Sequence, residues 1–212
     1  MALQQTQAVL VVNLGDAEAQ VEIQYFPTGV GTVSGGTDTF AVGVNACKGI
    51  DQRYDAPSIT SDTFMGGAVI TPTNGVPIAA NVNLRGGSRY GMTYGGLMTS
   101  GTTAYLPISY REISSQGYSW SSTIIVYNFD TSDAHVNFTF YPIGGATIED
   151  TNTYTVTKVS QFDLRYHTAI TSEPSFIGAV KVESDKSIGA MVQTRGAGGT
   201  GDALMAFQGL MP

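Results

Sequence analysis

Charge is the first thing this sequence is short of. Asp, Glu, Lys and Arg make up 13% of its 212 residues, about half the share usual in a soluble globular domain. The balance is acidic, with a formal net charge of -7 and no run of Lys or Arg, so the electrostatic footprint expected of a nucleic-acid or anionic-lipid binder is missing. Cysteine is nearly absent: Cys47 stands alone, which rules out an internal disulfide and any metal site built on several thiolates. His135 and His167 are the only imidazoles, and they lack the short spacing of a zinc site. No apolar run approaches the ~18 residues of a membrane-spanning helix, and Met1–Thr6 carries none of the basic residues that open an export signal.

Glycine (26), tyrosine (11) and phenylalanine (9) are plentiful, alongside many Thr and Val, a composition that favours strands. The strongest organisational signal is an internal repeat at a spacing of roughly 110–115 residues. Val9-Leu10-Val11-Val12-Asn13-Leu14 matches Ile124-Ile125-Val126-Tyr127-Asn128-Phe129, and Tyr25-Phe26-Pro27 matches Phe140-Tyr141-Pro142. Arg53-Tyr54 returns as Arg165-Tyr166. Phe64–Val69 returns as Phe176–Val180 if one residue is deleted. Ile78, Ala80, Val82 and Arg85 correspond to Ile188, Ala190, Val192 and Arg195, and Gly96-Leu97-Met98 to Gly209-Leu210-Met211.

Within each copy, apolar residues alternate with polar ones as in half-buried strands: Val21, Ile23 and Tyr25 in the first, Val136, Phe138 and Phe140 in the second. Turn signals at Gly15-Asp16, Asn74-Gly75, Asp130–Asp133, Gly144-Gly145 and Ser184–Lys186 separate them. The pattern predicts an all-β chain of two tandem antiparallel β-sandwich domains of about seven strands each, over residues 1–101 and 102–212. Ala46–Ser61 and its counterpart Ser160–Ser172 read as long connections with room for a helical turn.

One segment breaks the symmetry. Thr103–Ile113 is strand-like and precedes the first matched strand of the second copy, whereas the first copy has no equivalent. It can belong to either domain, and in both cases one domain lacks a strand and exposes an edge on which another strand can form. Either a neighbouring chain supplies that strand or the next repeat of a longer array does.

The chemical motifs are weaker than the repeat. Gly196–Gly201 fits G-x-G-x-x-G, but a strand-like Ala203–Phe207 follows it instead of a helix and an acidic ribose ligand, so it reads as a glycine-rich hairpin loop. No G-x-S-x-G elbow accompanies the serines, and the first copy has no His, so the sequence names no catalytic, cofactor or metal residue. Asp16, Glu18, Asp130 and Asp133 sit at equivalent turns, where Asx chemistry explains them and weak calcium binding is the alternative. Arg53 and Arg165, each followed by Tyr, and Arg85 and Arg195, each ending a strand, occur in both copies, which points to fold maintenance: they read as arginines packed on aromatics or bonded to loop carbonyls rather than as ligand contacts. The aromatic segments Tyr90–Tyr94, Tyr105–Tyr110 and Tyr118–Trp120 are candidates for a recognition or packing surface. Tyr105, Leu106, Ile108, Tyr110, Tyr118 and Trp120 are therefore the candidate assembly residues.

The Tyr105-Leu106-Pro107 lead-in, the strand ending at Asn128, the Tyr141-Pro142 turn, Phe176-Ile177-Gly178-Ala179-Val180 and the closing Gly209-Leu210 together resemble tandem immunoglobulin-like β-sandwich repeats of large bacterial extracellular and surface-layer-like proteins. That resemblance implies an exported, non-enzymatic array and transfers no site residues. The expectation is a structural module of an extracellular or cell-surface protein that self-associates into a filament or layer by strand complementation. A carbohydrate-binding or adhesive module and an accessory domain of a secreted enzyme are the alternatives. Glycans are the further partner considered; nucleic acid and membrane insertion are not expected.

Overall fold

A computed structural model describes residues 5–27, 35–59, 64, 66–86, 90–97, 99–199 and 203–212, and of residues 5–7, 85–86 and 90 the backbone alone. The chain is nearly all β with antiparallel sheets, and no α-helix occurs among the described residues. It divides into two compact units, Met1–Gly96 and Leu97–Pro212.

In the first unit, β1 (Gln5–Asn13), β4 (Cys47–Asp51), β6 (Ile78–Gly86) and β7 (Tyr90–Gly95) form a sheet in the order β4-β1-β6-β7. β2 (Ala19–Pro27), β3 (Thr37–Val42) and β5 (Gly66–Pro72) form a second sheet in the order β3-β2-β5. The period-two pattern does its work here: Val21, Ile23 and Tyr25 of β2 turn inward, and they share one core with Val9 and Val11 of β1, Val42 and Ile50.

The second unit repeats these pairings. β10 (Tyr118–Asn128) lies between β14 (Val159–Asp163) and the far half of β15 (Phe176–Ala197), and β16 (Leu204–Gln208) pairs with that same half. β11 (Ala134–Pro142) carries the short β12 (Ile148–Glu149) and β13 (Tyr154–Val156) on one side and the near half of β15 on the other. β15 is a 22-residue strand that replaces both β5 and β6. The loop chemistry explains why. In the first unit Pro72 and Pro77 flank Asn74-Gly75, with Gly75 at φ 74°, and proline and a left-handed glycine end a strand. In the second unit Ser184–Ser187 has neither residue, and the chain runs straight on.

Two details depart from the sequence reading. Cys47–Asp51 was expected within a connection but is strand β4, paired with β1 from Ala8↔Asp51 to Val12↔Cys47; Gly49 and the exposed Lys48 mask a strand in which only Ile50 is buried. Its counterpart combines strand β14 with a 3-10 turn at Thr168–Ile170. The one-residue deletion is also not needed. Gly66 pairs with Pro27 and Gly178 with Pro142, so Ala68 corresponds to Val180 and Ile70 to Val182. Both glycines sit where a Cβ would come within 2.1 Å of a carbonyl oxygen, of Phe26 in one unit and Tyr141 in the other, and no other residue fits that approach.

Candidate functional site

The lead-in segment of the second copy is β8 (Gly101–Arg111), and it lies in the second unit against β15. Its register runs from Phe176↔Arg111 to Ile188↔Gly101, with irregularities between Gly178 and Val180 and between Glu183 and Ile188. Alternation turns Ala104 and Leu106 inward, where both are fully buried beside Val180 and Val182. Tyr105 points outward, 43% exposed, opposite Lys181, and its backbone exchanges hydrogen bonds of 2.9 and 2.8 Å with Leu210. Ile108 and Tyr110 are half-buried, and the Tyr110 amide donates to Ser122 Oγ at 2.9 Å. Of the six expected assembly residues, Leu106 is thus core of its own unit.

Tyr118 and Trp120 stand on β10, outside that strand, with ring centroids 5.2 Å apart. The glycine-rich loop is their seat: a Cβ on Gly199 would fall within 2.2 Å of the Tyr118 ring, and one on Gly196 within 2.9 Å of the same ring. Gly196 and Gly199 are small because an aromatic side chain lies on them; residues 200–202 of that loop lie outside the described residues. In Tyr90–Tyr94, Tyr94 is half-buried, and only the backbone of Tyr90 is described.

The first unit offers the contrast. Among the described residues β5 pairs with β2 and with no strand on its other side. Thr73 N–H donates to Gln20 O at 2.8 Å, and because antiparallel ladders alternate, the amides of Ala68 and Ile70 then point away from β2. Those are the positions whose counterparts, Val180 and Val182, face β8. Ala68 is exposed and Ile70 half-buried, whereas Val180 and Val182 are fully buried. The same thinning reaches β6: Ile78, Ala80 and Val82 are half-buried, while Ile188, Ala190 and Val192 are fully buried.

Polar side chains inside the units serve the backbone. Asn13 Nδ2 donates to the carbonyls of Ala17, Val42 and Gly43 at 2.7, 3.0 and 3.1 Å, and its Oδ1 accepts from Gly15 N–H at 2.8 Å. Asn128 repeats the set with Ser132, Val156, Thr157 and Asp130. One buried amide thus closes the loop between two sheets in each unit, with its two N–H groups shared among three carbonyls and its oxygen accepting from the loop amide.

His167 is the sole strongly buried imidazole. Its side chain is 3% exposed, boxed by Phe138, Phe140, Tyr154 and Phe162, and its Nε2 lies 3.6 Å from Asp150 Oδ2, too far for a hydrogen bond. Neither ring nitrogen has a hydrogen-bond partner. Burial pushes its pKa below the ordinary histidine value, against the attraction of Asp150, so the ring is neutral at pH 7 and the contact is not an ion pair. Asp150 is held instead by Tyr154 OH at 2.8 Å and by Asn152 N–H at 2.9 Å. His135 is exposed; its backbone N–H and its Nδ1 both meet the carboxylate of Asp185, at 2.7 and 3.0 Å. Among the described residues no group of three or more His, Cys, Asp or Glu is placed to hold a metal ion, and no helix is long and apolar enough to cross a membrane.

The turn after β4 is copied after β14. Asp51 accepts from the Arg53 backbone N–H at 3.0 Å and from its Nε at 2.9 Å, and Asp163 does the same for Arg165 at 3.0 and 3.0 Å. Each guanidinium lies over the next tyrosine ring, 4.9 Å from the centroid of Tyr54 and 5.2 Å from that of Tyr166. The Arg53 hydrogen bond holds the Asp51 carboxyl below the usual carboxylate range.

No family model matches the chain, and no curated protein or solved structure is significantly similar to it.

Proposed function

We propose that this chain is a non-catalytic structural module of an extracellular or cell-surface protein. Its repeats are immunoglobulin-like sandwiches completed by strand addition, with the β8 type of strand handed from one repeat to its neighbour. The observation that carries this reading is the difference between β15 and β5. Where β8 is present, Val180 and Val182 are sealed; where it is not, Ala68 and Ile70 lie at an edge whose amides face outward. An edge of this kind is a template for a further strand, which brings backbone hydrogen bonds along its length and side-chain specificity at alternate positions. The preferred occupant is written in the chain itself: an extended segment with small and branched apolar residues two apart, as Ala104 and Leu106 are in β8. The low charge and the two asparagines committed to backbone closure suit a spacer or polymer better than a reaction centre.

The test is the assembly state of the full chain across a concentration series, by light scattering and negative-stain microscopy, with and without a synthetic peptide of residues 101–111. Oligomers or filaments that the peptide dissolves support the reading. A strict monomer that does not bind the peptide overturns strand addition.

A further inference from the structure

The two units agree in sequence mainly where they are buried. Asn13 and Asn128, Ala19 and Ala134, Val21 and Val136, and Val42 and Val156 are identical pairs, all buried, and packing accounts for them. Exposed pairs have drifted: Leu14 against Phe129, Ala17 against Ser132, Glu18 against Asp133, Gln20 against His135. Two sets of exposed residues escape that drift: Thr39 with Thr153, whose polar, β-branched side chain suits an exposed strand position, and the pair Arg53-Tyr54. Arg53 and Tyr54 are exposed in one unit, Arg165 and Tyr166 are exposed in the other, and both pairs are identical.

The fold needs part of this motif. Asp51 and Asp163 close the turn through the backbone amide two residues on, which is Asx-turn chemistry. It does not need the rings. Tyr54 is 78% and Tyr166 73% exposed, so neither gains much from burial, and the hydrophobic effect offers no reason to keep a tyrosine at both places.

The geometry says what such a plate can hold. The arginine covers one face of each ring, which leaves the other face to solvent. Its charge is matched by the aspartate that takes Nε and Nη2, so the plate is an uncharged unit that does not single out anions or cations. What remains is a flat apolar face, a phenolic hydroxyl, the Nη1 edge of a guanidinium and free lone pairs of a carboxylate. A pyranose ring is complementary to this set, because it has an axial C–H face to stack and equatorial hydroxyls that both donate and accept. A protein partner would need an apolar centre and a footprint of about 800 Å² per side; each plate is a single exposed ring, flanked in sequence by Asp55 in the first unit and by the buried His167 in the second.

We propose that Tyr54 and Tyr166, each backed by its Arg–Asp pair, are two equivalent stacking platforms for neutral sugar rings, one in each unit. The inference stands apart from strand addition, since Asp51–Tyr54 and Asp163–Tyr166 lie outside β5 and β8.

Affinity electrophoresis of the full chain through gels holding starch, galactomannan, arabinoxylan or mixed-linkage β-glucan tests this, with anionic alginate as contrast. The expected result is retardation in at least one neutral gel. Tyr54→Ala or Tyr166→Ala weakens it about tenfold, the double variant abolishes it, and Tyr54→Phe with Tyr166→Phe retains most of it because the ring face is kept. Tyr105→Ala leaves it unchanged. Circular dichroism and thermal midpoints of all variants match the parent, as suits exposed rings. No retardation in any neutral gel, retardation in alginate alone, or full retention by the double variant overturns the proposal. So does a double variant that alters the sedimentation coefficient when the parent binds no glycan, which would assign the plates to contact with another protein chain.

Discussion

The two units are built on one plan and finished differently. Each has a buried asparagine that ties a loop to a strand end, an Asp–Arg–Tyr turn, and a glycine pressed against a neighbouring carbonyl. In the second unit β8 pairs with β15, whose Val180 and Val182 are sealed, whereas among the described residues β5 has no strand opposite β2 and its Ala68 is exposed and Ile70 half-buried. The burial of equivalent residues therefore follows whether a strand pairs beside them, and residues with equal roles in the repeat face different environments.

The sharpest way to break this comparison is a charge placed on the contested face. Val180→Asp buries an unpaired carboxylate in the core and is expected to cost more than about 4 kcal/mol or to unfold the unit. The equivalent Ala68→Asp changes the stability of the first unit by less than about 0.5 kcal/mol while it blocks capture of the 101–111 peptide. Trp120, the sole tryptophan, reports the unfolding of the second unit by fluorescence, and amide exchange reports the first. Equal losses from the two substitutions would remove the contrast.

A smaller effect tests what the units share. Asn128→Ala strands the carbonyls of Ser132, Val156 and Thr157 and the amide of Asp130; about 2–4 kcal/mol is expected, given ~1 kcal/mol per lost bond and more for groups left buried. Asn13→Ala should cost the first unit a similar amount, in the same denaturation experiment.

The smallest effect depends on pH and belongs to one unit. His167 has a folded pKa below its ordinary value because of burial. The unfolded chain therefore takes up a proton that the folded unit refuses once pH falls below about 6.5. Stability of the second unit declines from there toward the folded pKa, by up to about 1.4 kcal/mol per pH unit. His167→Phe should flatten that decline in a Trp120-monitored titration. The first unit, with Asp55 at that position, should not show it.

Much of this plan was legible in the chain. The repeat, the alternating strands and the extra segment before the second copy all follow from apolar spacing, and the outward and inward faces of Val21–Tyr25 and Val136–Phe140 were read correctly. Three features were not legible, each for a physical reason. β4 carries one buried side chain in five residues, too few for a period to register. The unit that keeps β8 depends on long-range pairing with β15, which local pattern does not encode. His167 follows an exposed Arg-Tyr pair, and nothing near it in sequence announces that the Phe138 and Phe140 rings close over it. Among the candidate residues, sequence found the strand that pairs with β15 but not the open side of β5 at Ala68 and Ile70, because a half-exposed apolar strand looks the same whether its neighbour is water or another strand.

The central claim is that β5 presents an edge fitted to a strand of the β8 type. Amide hydrogen exchange of the full chain with and without the 101–111 peptide tests it most directly. The account predicts that Ala68 and Ile70 exchange rapidly in the chain alone and become strongly protected when the peptide is added, while Val180 and Val182 are protected throughout. Fast exchange at Ala68 and Ile70 at saturating peptide, or slow exchange there without it, would contradict the account.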